Sequence, residues 1–455
     1  MRFSLFIVAL AALVSCCHSK PDAVSRPVQL ITLDPGHFHA ALVQKTMYDD
    51  VDRVVHVYAP QGHDVALHLN RIDAYNHRDA EPTTWRNVVY TGPDFLEKMV
   101  QEKAGNVVVL SGNNQKKAAY IRQSLDAGLN VLADKPMAIR PADFESLQES
   151  FKIAANKNLL LYDIMTERYE ITTMLQRELS MLPEIFGTLE TGTPDNPAIT
   201  KESVHHFYKY VSGSVLTRPA WFFDVAQQGE GIADVMTHLV DLVQWECFPG
   251  QVLDYANDVQ VNSARQWMTD MTLKQFSDIA KLDSFPHYLQ KDVSNDTVLK
   301  VRSNGEIHYR LRGVHAKTSV TWKYRAPEGS GDTHYSIMRG TKSNLVIRQG
   351  EKENYKPVLY IEPVNETPVF ESVLADQIRK IQQMYPGIGL RKLTTGWSVT
   401  VPEKYNEGHE AHFARVTEKF LEYLKNGNMP AWEVPNMIAK YYTTMRAVEL
   451  SERTP

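Results

Sequence analysis

Two short stretches carry side chains whose types and spacing suit proton transfer. The first is Asp134-Lys135-Pro136. A residue before proline is held extended, so the lysine is presented rather than left to wander. The second runs from Asp234 to His238, an aspartate and a histidine four apart, with Asp241 three residues further on. On a helix these share a face. A carboxylate beside an imidazole orients it and favours its protonated form. An imidazole titrates near neutral pH and can accept the proton of an alcohol, and a partly buried lysine can share that proton or polarise the oxygen. Either stretch alone reads as a surface pair or a solvated loop lysine. Together they make Lys135, His238 and Asp234 the candidate catalytic residues.

A third stretch is residues 33–39, LDPGHFH, between a strand-like and a helix-like run. A nucleotide-binding chain carries its glycine-rich turn at such a junction, but here one glycine stands where three are wanted. Aligned on the strand, Gly36 takes the place of the second glycine, which lets the backbone approach a pyrophosphate. Asp34 replaces the first and His39 the third. Backbone amides at a helix start attract phosphate whatever the side chains, and His37 or His39 can add a donor.

Five apolar runs at residues 28–33, 54–58, 106–110, 130–133 and 159–162 alternate with helical stretches. One such helix, residues 115–127, is closed by Gly128. Apolar strands alternating with helices predict a parallel sheet covered on both faces. Ligands of such sheets bind beyond the carboxyl ends of the strands. That places Gly36, His37, Phe38, His39, Ser111, Asn113, Asn114, Asp134 and Lys135 as candidate cofactor-binding residues. No acidic residue closes the second run before Asp64, and no arginine stands at its end. NAD is therefore expected over NADP. The second half differs: residues 231–248 read as helix, residues 297–362 as short β-segments with period-2 alternation, and helix returns at 373–384 and 409–424. The predicted fold class is an α/β Rossmann-like nucleotide domain (residues 28–165) followed by an α+β domain with a largely antiparallel open sheet (residues 166–455).

The segment SGNNQKKAAYIRQSLDAGLNVLADKPMAI resembles the stretch of the glucose–fructose oxidoreductase/inositol dehydrogenase (Gfo/Idh/MocA) family that ends in Glu-Lys-Pro, with Asp134 in place of Glu. GEGIADVMTHLVDLVQW, residues 229–245, is similar to that family's glycine-rich turn followed by Asp-x-x-x-His, with Asp234 and His238 on the matching positions. The resemblance implies hydride transfer between a carbohydrate or polyol carbon and a nicotinamide, with Lys135 and His238 handling the proton. It also admits a redox-neutral glycosidase or lyase acting through a transient keto-sugar. Arg218, Trp221, Asp224 and Asp241 are the candidate substrate-binding residues, the tryptophan able either to stack on a sugar ring or to pack in the core.

His205-His206 and His409-x-x-His412 could hold a divalent ion, but neither pair has a third ligand at fixed spacing, so no metal is expected. A formal charge of −5 argues against a nucleic-acid binder. Arg2, an apolar run at residues 5–13 and the small residues after it predict a signal peptide over residues 1–15. Cys16 then fits the lipidated cysteine of a bacterial lipoprotein, with residues 16–27 as tether. Only Cys247 remains in the globular part, which excludes a disulfide framework. A carbohydrate-binding lipoprotein without catalysis is the reading from another class, motivated by the depleted glycine turn. A homo-oligomer is expected from the open sheet face.

Overall fold

Six parallel strands build the first layer of the protein, a computed structural model that describes residues 27–211 and 214–453. They are β1 (Leu30–Leu33), β2 (Val54–Ala59), β3 (Arg86–Thr91), β4 (Val107–Leu110), β5 (Asn130–Asp134) and β6 (Leu161–Ile164). Their order in the sheet is β3-β2-β1-β4-β5-β6. β1, β4 and β6 are buried throughout: β1 and β4 are apolar runs flanked on both faces by helices, and β6, which carries Asp163, is covered by the C-terminal helices. Those helices are α1 (His39–Leu42), α2 (His63–His77), α3 (Phe95–Glu102), α4 (Lys117–Asp126) and α5 (Pro141–Asn156). Gly128 follows α4 with φ +85°, the left-handed turn expected of it. β3 has no counterpart in the sequence reading. It is an edge strand whose short Val88-Val89-Tyr90 run, with Val88 46% and Val89 42% exposed, lacks the burial of the central strands.

The chain leaves β1 toward β2 on one side and reaches β4 on the other, so the strand order reverses between β1 and β4. Neighbouring loops diverge there, and a crevice opens at their carboxyl ends.

The second sheet is mostly antiparallel. Its strand β7 (Ile199–Tyr208) pairs parallel with Val314–Arg325 and antiparallel with Thr333–Arg339. Two 14-residue strands, Val259–Thr272 and Val298–Leu311, extend one side as an antiparallel pair. On the other side lie Ser343–Gln349, Val358–Pro363, Gly396–Thr400 and Gly389–Leu393. Helix α6 (Ile171–Ser180) packs on this sheet; a short α7 (Val225–Gln228) leads to α8 (Met236–Cys247), which packs against β7 and Val314–Arg325. α8 is buried on nearly every side because the C-terminal helix Glu433–Arg453 covers it from the far side.

The two C-terminal helices also return to the first sheet. Tyr162 of β6 packs on Phe420 and Tyr423, and Tyr441 donates to Asp163 at 3.0 Å. Residues 409–453, which the sequence groups with the second domain, thus cover the outer strand of the first. Among the described residues no helix is long and apolar enough to cross a membrane. The expected signal peptide, the lipidation at Cys16 and the tether up to residue 26 lie outside the described residues.

Candidate active site

A cavity of about 690 Å3 opens where the carboxyl ends of the first sheet meet α8 and β7. The loop after β1 brings His37, Phe38 and His39 to its wall, the loop after β5 brings Lys135, and the turn before α8 brings Asp234. α8 itself adds His238, while Arg218 and Phe222 come from the segment after β7 and Trp322 from the sheet. The two stretches that suit proton transfer, about a hundred residues apart in sequence, therefore share one cavity.

Lys135, joined to Pro136 by a cis peptide bond, donates from Nζ to Asp234 Oδ1 at 2.5 Å. This corrects the expected Asp234–His238 pairing. The helix starts at Met236, so Asp234 stands in the preceding turn, and its carboxylate meets the lysine instead of the imidazole. His238 is 9% exposed and its Nδ1 has no hydrogen-bond partner. Burial, with Lys135 and His409 adding positive charge nearby, holds its pKa well below the usual imidazole value. At neutral pH the ring is uncharged and able to accept a proton, rather than being pre-protonated by a carboxylate.

The remaining candidates divide. Arg218 lies on the cavity wall, donating from Nε to the Phe207 carbonyl at 3.1 Å with its guanidinium over the rings of Phe222 and Trp322. Trp221 is not on that wall. Its Nε1 donates to Asp64 Oδ2 at 2.9 Å, and its ring stands against Gly36. The aromatic surfaces facing the cavity are Phe222 and Trp322. Asp224 caps α7 through the Ala226 amide and also accepts from Lys291, so its oxygens serve the fold. Asp241 is 1% exposed between Arg168 and Lys440, with bonds of 2.7 and 2.9 Å, and does not reach the cavity. Nearness in sequence points both acids toward substrate, but helical phase and capping turn them away.

Asn113 and Asn114 bridge to the second domain, donating to Gln227 Oε1 and to the Gln228 carbonyl. Ser111 donates to Asp134 Oδ2 at 3.0 Å, and His39 Nδ1 lies 2.8 Å from the same oxygen. Lys209, Asp332 and Glu167 are wall residues that the sequence does not single out, and His205 and His409 stand on the wall beside them. Lys209 and His205 gather with His206 around Asp332, whose carboxyl is held well below the usual range by these imidazoles and the lysine despite burial. Glu167, on the turn after β6, has its pKa raised to about 7 by burial and by Glu170. His409 packs against His39 with ring centres 5.5 Å apart. The histidine doublet at 205–206 is visible in the sequence; its partner Asp332, just before the neighbouring strand and 126 residues beyond His206, is not.

Residues 35–162 match the oxidoreductase family with an NAD-binding Rossmann fold, and residues 175–452 match an oxidoreductase C-terminal domain. None of the curated proteins matches the chain in sequence. A crystal structure of a protein from Parabacteroides merdae is 54% identical, with a TM-score of 0.92, and the match covers 94% of this chain and 98% of that one. A levoglucosan dehydrogenase, solved with NADH and levoglucosan, shares the fold at 12% identity and TM-score 0.59, covering 94% of this chain and 98% of that one. A 3-ketoreductase from Actinomadura kijaniata shares it at 13% identity and TM-score 0.54, covering 93% and 98%.

The cofactor of the first domain is a nicotinamide dinucleotide, and the crevice has features that suit one. Gly36 presents bare backbone: a Cβ there would stand 3.1 Å from both the Asp64 carboxylate and the Trp221 ring. Asn114 Oδ1 after β4 and His238 Nδ1 on α8 are buried polar atoms without partners, which a bound molecule can satisfy. Gly36, Asn113, Asn114 and Lys135 are the residues that would hold it. Parallel sheet, Asp-Lys-Pro loop, Asp234–His238 turn and both matched regions have one common explanation: the chain belongs to the Gfo/Idh/MocA oxidoreductase family.

Proposed function

We propose that the protein oxidises or reduces a hydroxyl-bearing carbon of a carbohydrate or polyol, as an exported enzyme anchored by a lipid at Cys16. The observation that carries this reading is the meeting of the Lys135–Asp234 pair with uncharged His238 in one cavity. Its wall combines the aromatic faces of Phe222 and Trp322 with the charges of Arg218, Lys209 and Asp332, as a polyhydroxylated ring requires. When bound, the dinucleotide supplies the two-electron acceptor or donor. The chain's own residues handle the proton. His238 accepts it from the alcohol as the C=O bond forms, and Lys135, fixed by Asp234, donates to the substrate oxygen and stabilises the developing charge. Leader and lipid-site residues at the N-terminus support a place in the bacterial cell envelope, and the open sheet suits pairing with a second copy of the chain.

A redox-neutral reading is favoured by Glu167. Its raised pKa leaves much of it protonated at neutral pH on the same cavity wall. In that reading the transient ketone acidifies the neighbouring C–H; His238, its first proton passed to solvent, takes that proton as a C=C bond forms and the glycosidic oxygen leaves with the proton of Glu167; water then adds across the C=C bond, and the two electrons return to the ketone carbon.

The test is incubation with a panel of sugars and glycosides, scoring keto-sugar formation against aglycone release. Lys135→Ala and His238→Ala are each expected to lower kcat/KM by about 10²–10⁴-fold. Full activity in either variant would refute its assigned role.

A further inference from the structure

The turn after β1 does more than replace two glycines. His37, His39 and Asp134 each offer one ligand atom, and these atoms all lie within 4.8 Å of one another. His39 Nδ1 stands 2.8 Å and His37 Nδ1 3.7 Å from the same Asp134 oxygen. We propose that His37, His39 and Asp134 are the protein ligands of a divalent transition-metal ion at the edge of the cavity. Neither the family description nor the expected chemistry of Lys135 and His238 assigns this set a role, and it replaces the expectation of no metal.

Four observations support a built site. The sequence His-x-His places two imidazoles one residue apart on a turn, and the topology brings the end of β5 beside it. Asp134 is oriented from outside the cluster: Ser111 Oγ donates to its Oδ2 at 3.0 Å, and Lys117 Nζ donates to its carbonyl at 2.9 Å. The Ser111 bond fixes the carboxylate before an ion arrives, and the Lys117 bond fixes the backbone that carries it. The ring of His39 is walled by Phe413, 4.5 Å away, and by His409. The nearest cation in sequence, Lys135, is paired with Asp234 and so opposes an incoming ion less than a bare lysine would.

Two imidazoles and one carboxylate suit Zn2+, Co2+, Fe2+ or Mn2+ rather than Mg2+ or Ca2+, which prefer all-oxygen sets. Three protein ligands leave coordination positions open, as in catalytic rather than structural sites. His37 and His39 line the cavity, so those positions face the space assigned to substrate. An ion there can bind a hydroxyl or carbonyl oxygen of a sugar and make it more acidic or more electrophilic.

The experiment is titration of the chelator-stripped full-length protein with Co2+ alone, followed by its visible absorption, with Zn2+ as competitor. No dinucleotide is added, so the result stands whether or not the redox reading does. One equivalent of Co2+, displaced by Zn2+, is expected. His37→Gln, at the partly exposed ligand, and Asp134→Asn should each weaken binding by about 100-fold or more. His205→Asn, on the same wall but outside the cluster, should leave it unchanged. Circular dichroism checks that each variant is folded. Absence of stoichiometric binding in the unaltered protein overturns the proposal. So does equal binding by folded His37→Gln.

Discussion

At the scale of single residues, the two titrating groups on the cavity wall predict different pH profiles. His238 has its pKa pushed below the usual value of 6.5 by burial and by Lys135, so its accepting form persists into mildly acidic solution. Alcohol oxidation should therefore lose no activity through His238 as pH falls from about 8 through about 6.5. Glu167 runs the other way. Raised to about 7, it is a proton donor below that pH and a carboxylate above it. If glycosides are cleaved, aglycone release should fall as pH rises through about 7, and Glu167→Gln should abolish that limb while keto-sugar formation persists. A cleavage rate indifferent to both would remove Glu167 from the account. The sequence revealed Lys135, Asp234 and His238 because each lies in a recognisable short stretch. It misplaced the partner of Asp234, since an i, i+4 relation has meaning only inside a helix, and α8 begins two residues too late.

Among the elements, a buried charge network fastens the C-terminal helix to the first sheet and to α8. Lys440, fully buried on Glu433–Arg453, bridges Asp163 at 2.7 Å and Asp241 at 2.9 Å, and Arg168 joins Asp241 to Glu433. Asp241 is held strongly acidic because Arg168 and Lys440 outweigh the cost of burying it. Removing one charge strands the others, so Asp241→Asn should cost about 3–5 kcal/mol of stability in urea unfolding. KM for substrate should change little in the fraction that remains folded. A large KM effect with stability intact would restore Asp241 to the substrate site. Apolar strands, α8 and the helix at 409–426 could be read from pattern. β3 carries only the three-residue run Val88-Val89-Tyr90 between polar residues and is harder to pick out, and the pairing of residues 163 and 440 leaves no local signal because the contact spans the chain.

The whole molecule holds several histidines uncharged. Burial pushes His68, His334 and His409 down to about 3 and His412 to about 4. In the unfolded chain each takes up a proton near pH 6.5. Between those values the unfolded state binds more protons, so stability is full above about pH 6.5 and is lost as pH falls toward the folded values. The thermal midpoint should drop steadily over that window. His68, with both ring nitrogens buried and unpartnered, is the clearest single contributor. His68→Leu should flatten the acid slope without lowering the midpoint at neutral pH, and a steeper slope in that variant would contradict the assignment.

The same scale holds the central claim, that two domains enclose a cofactor and a sugar in one cavity. The depleted turn LDPGHFH and the Trp221–Asp64 bond beside Gly36 make cofactor retention the point on which that claim rests. The protein should be purified without added cofactor, denatured, and its released small molecules assayed for nicotinamide dinucleotide, with titration of NAD into the native protein as the companion arm. Stoichiometric release, or saturable binding on addition, is the result predicted, with conversion to the reduced form when a sugar substrate is supplied. An empty protein that also fails to bind NAD would contradict the account.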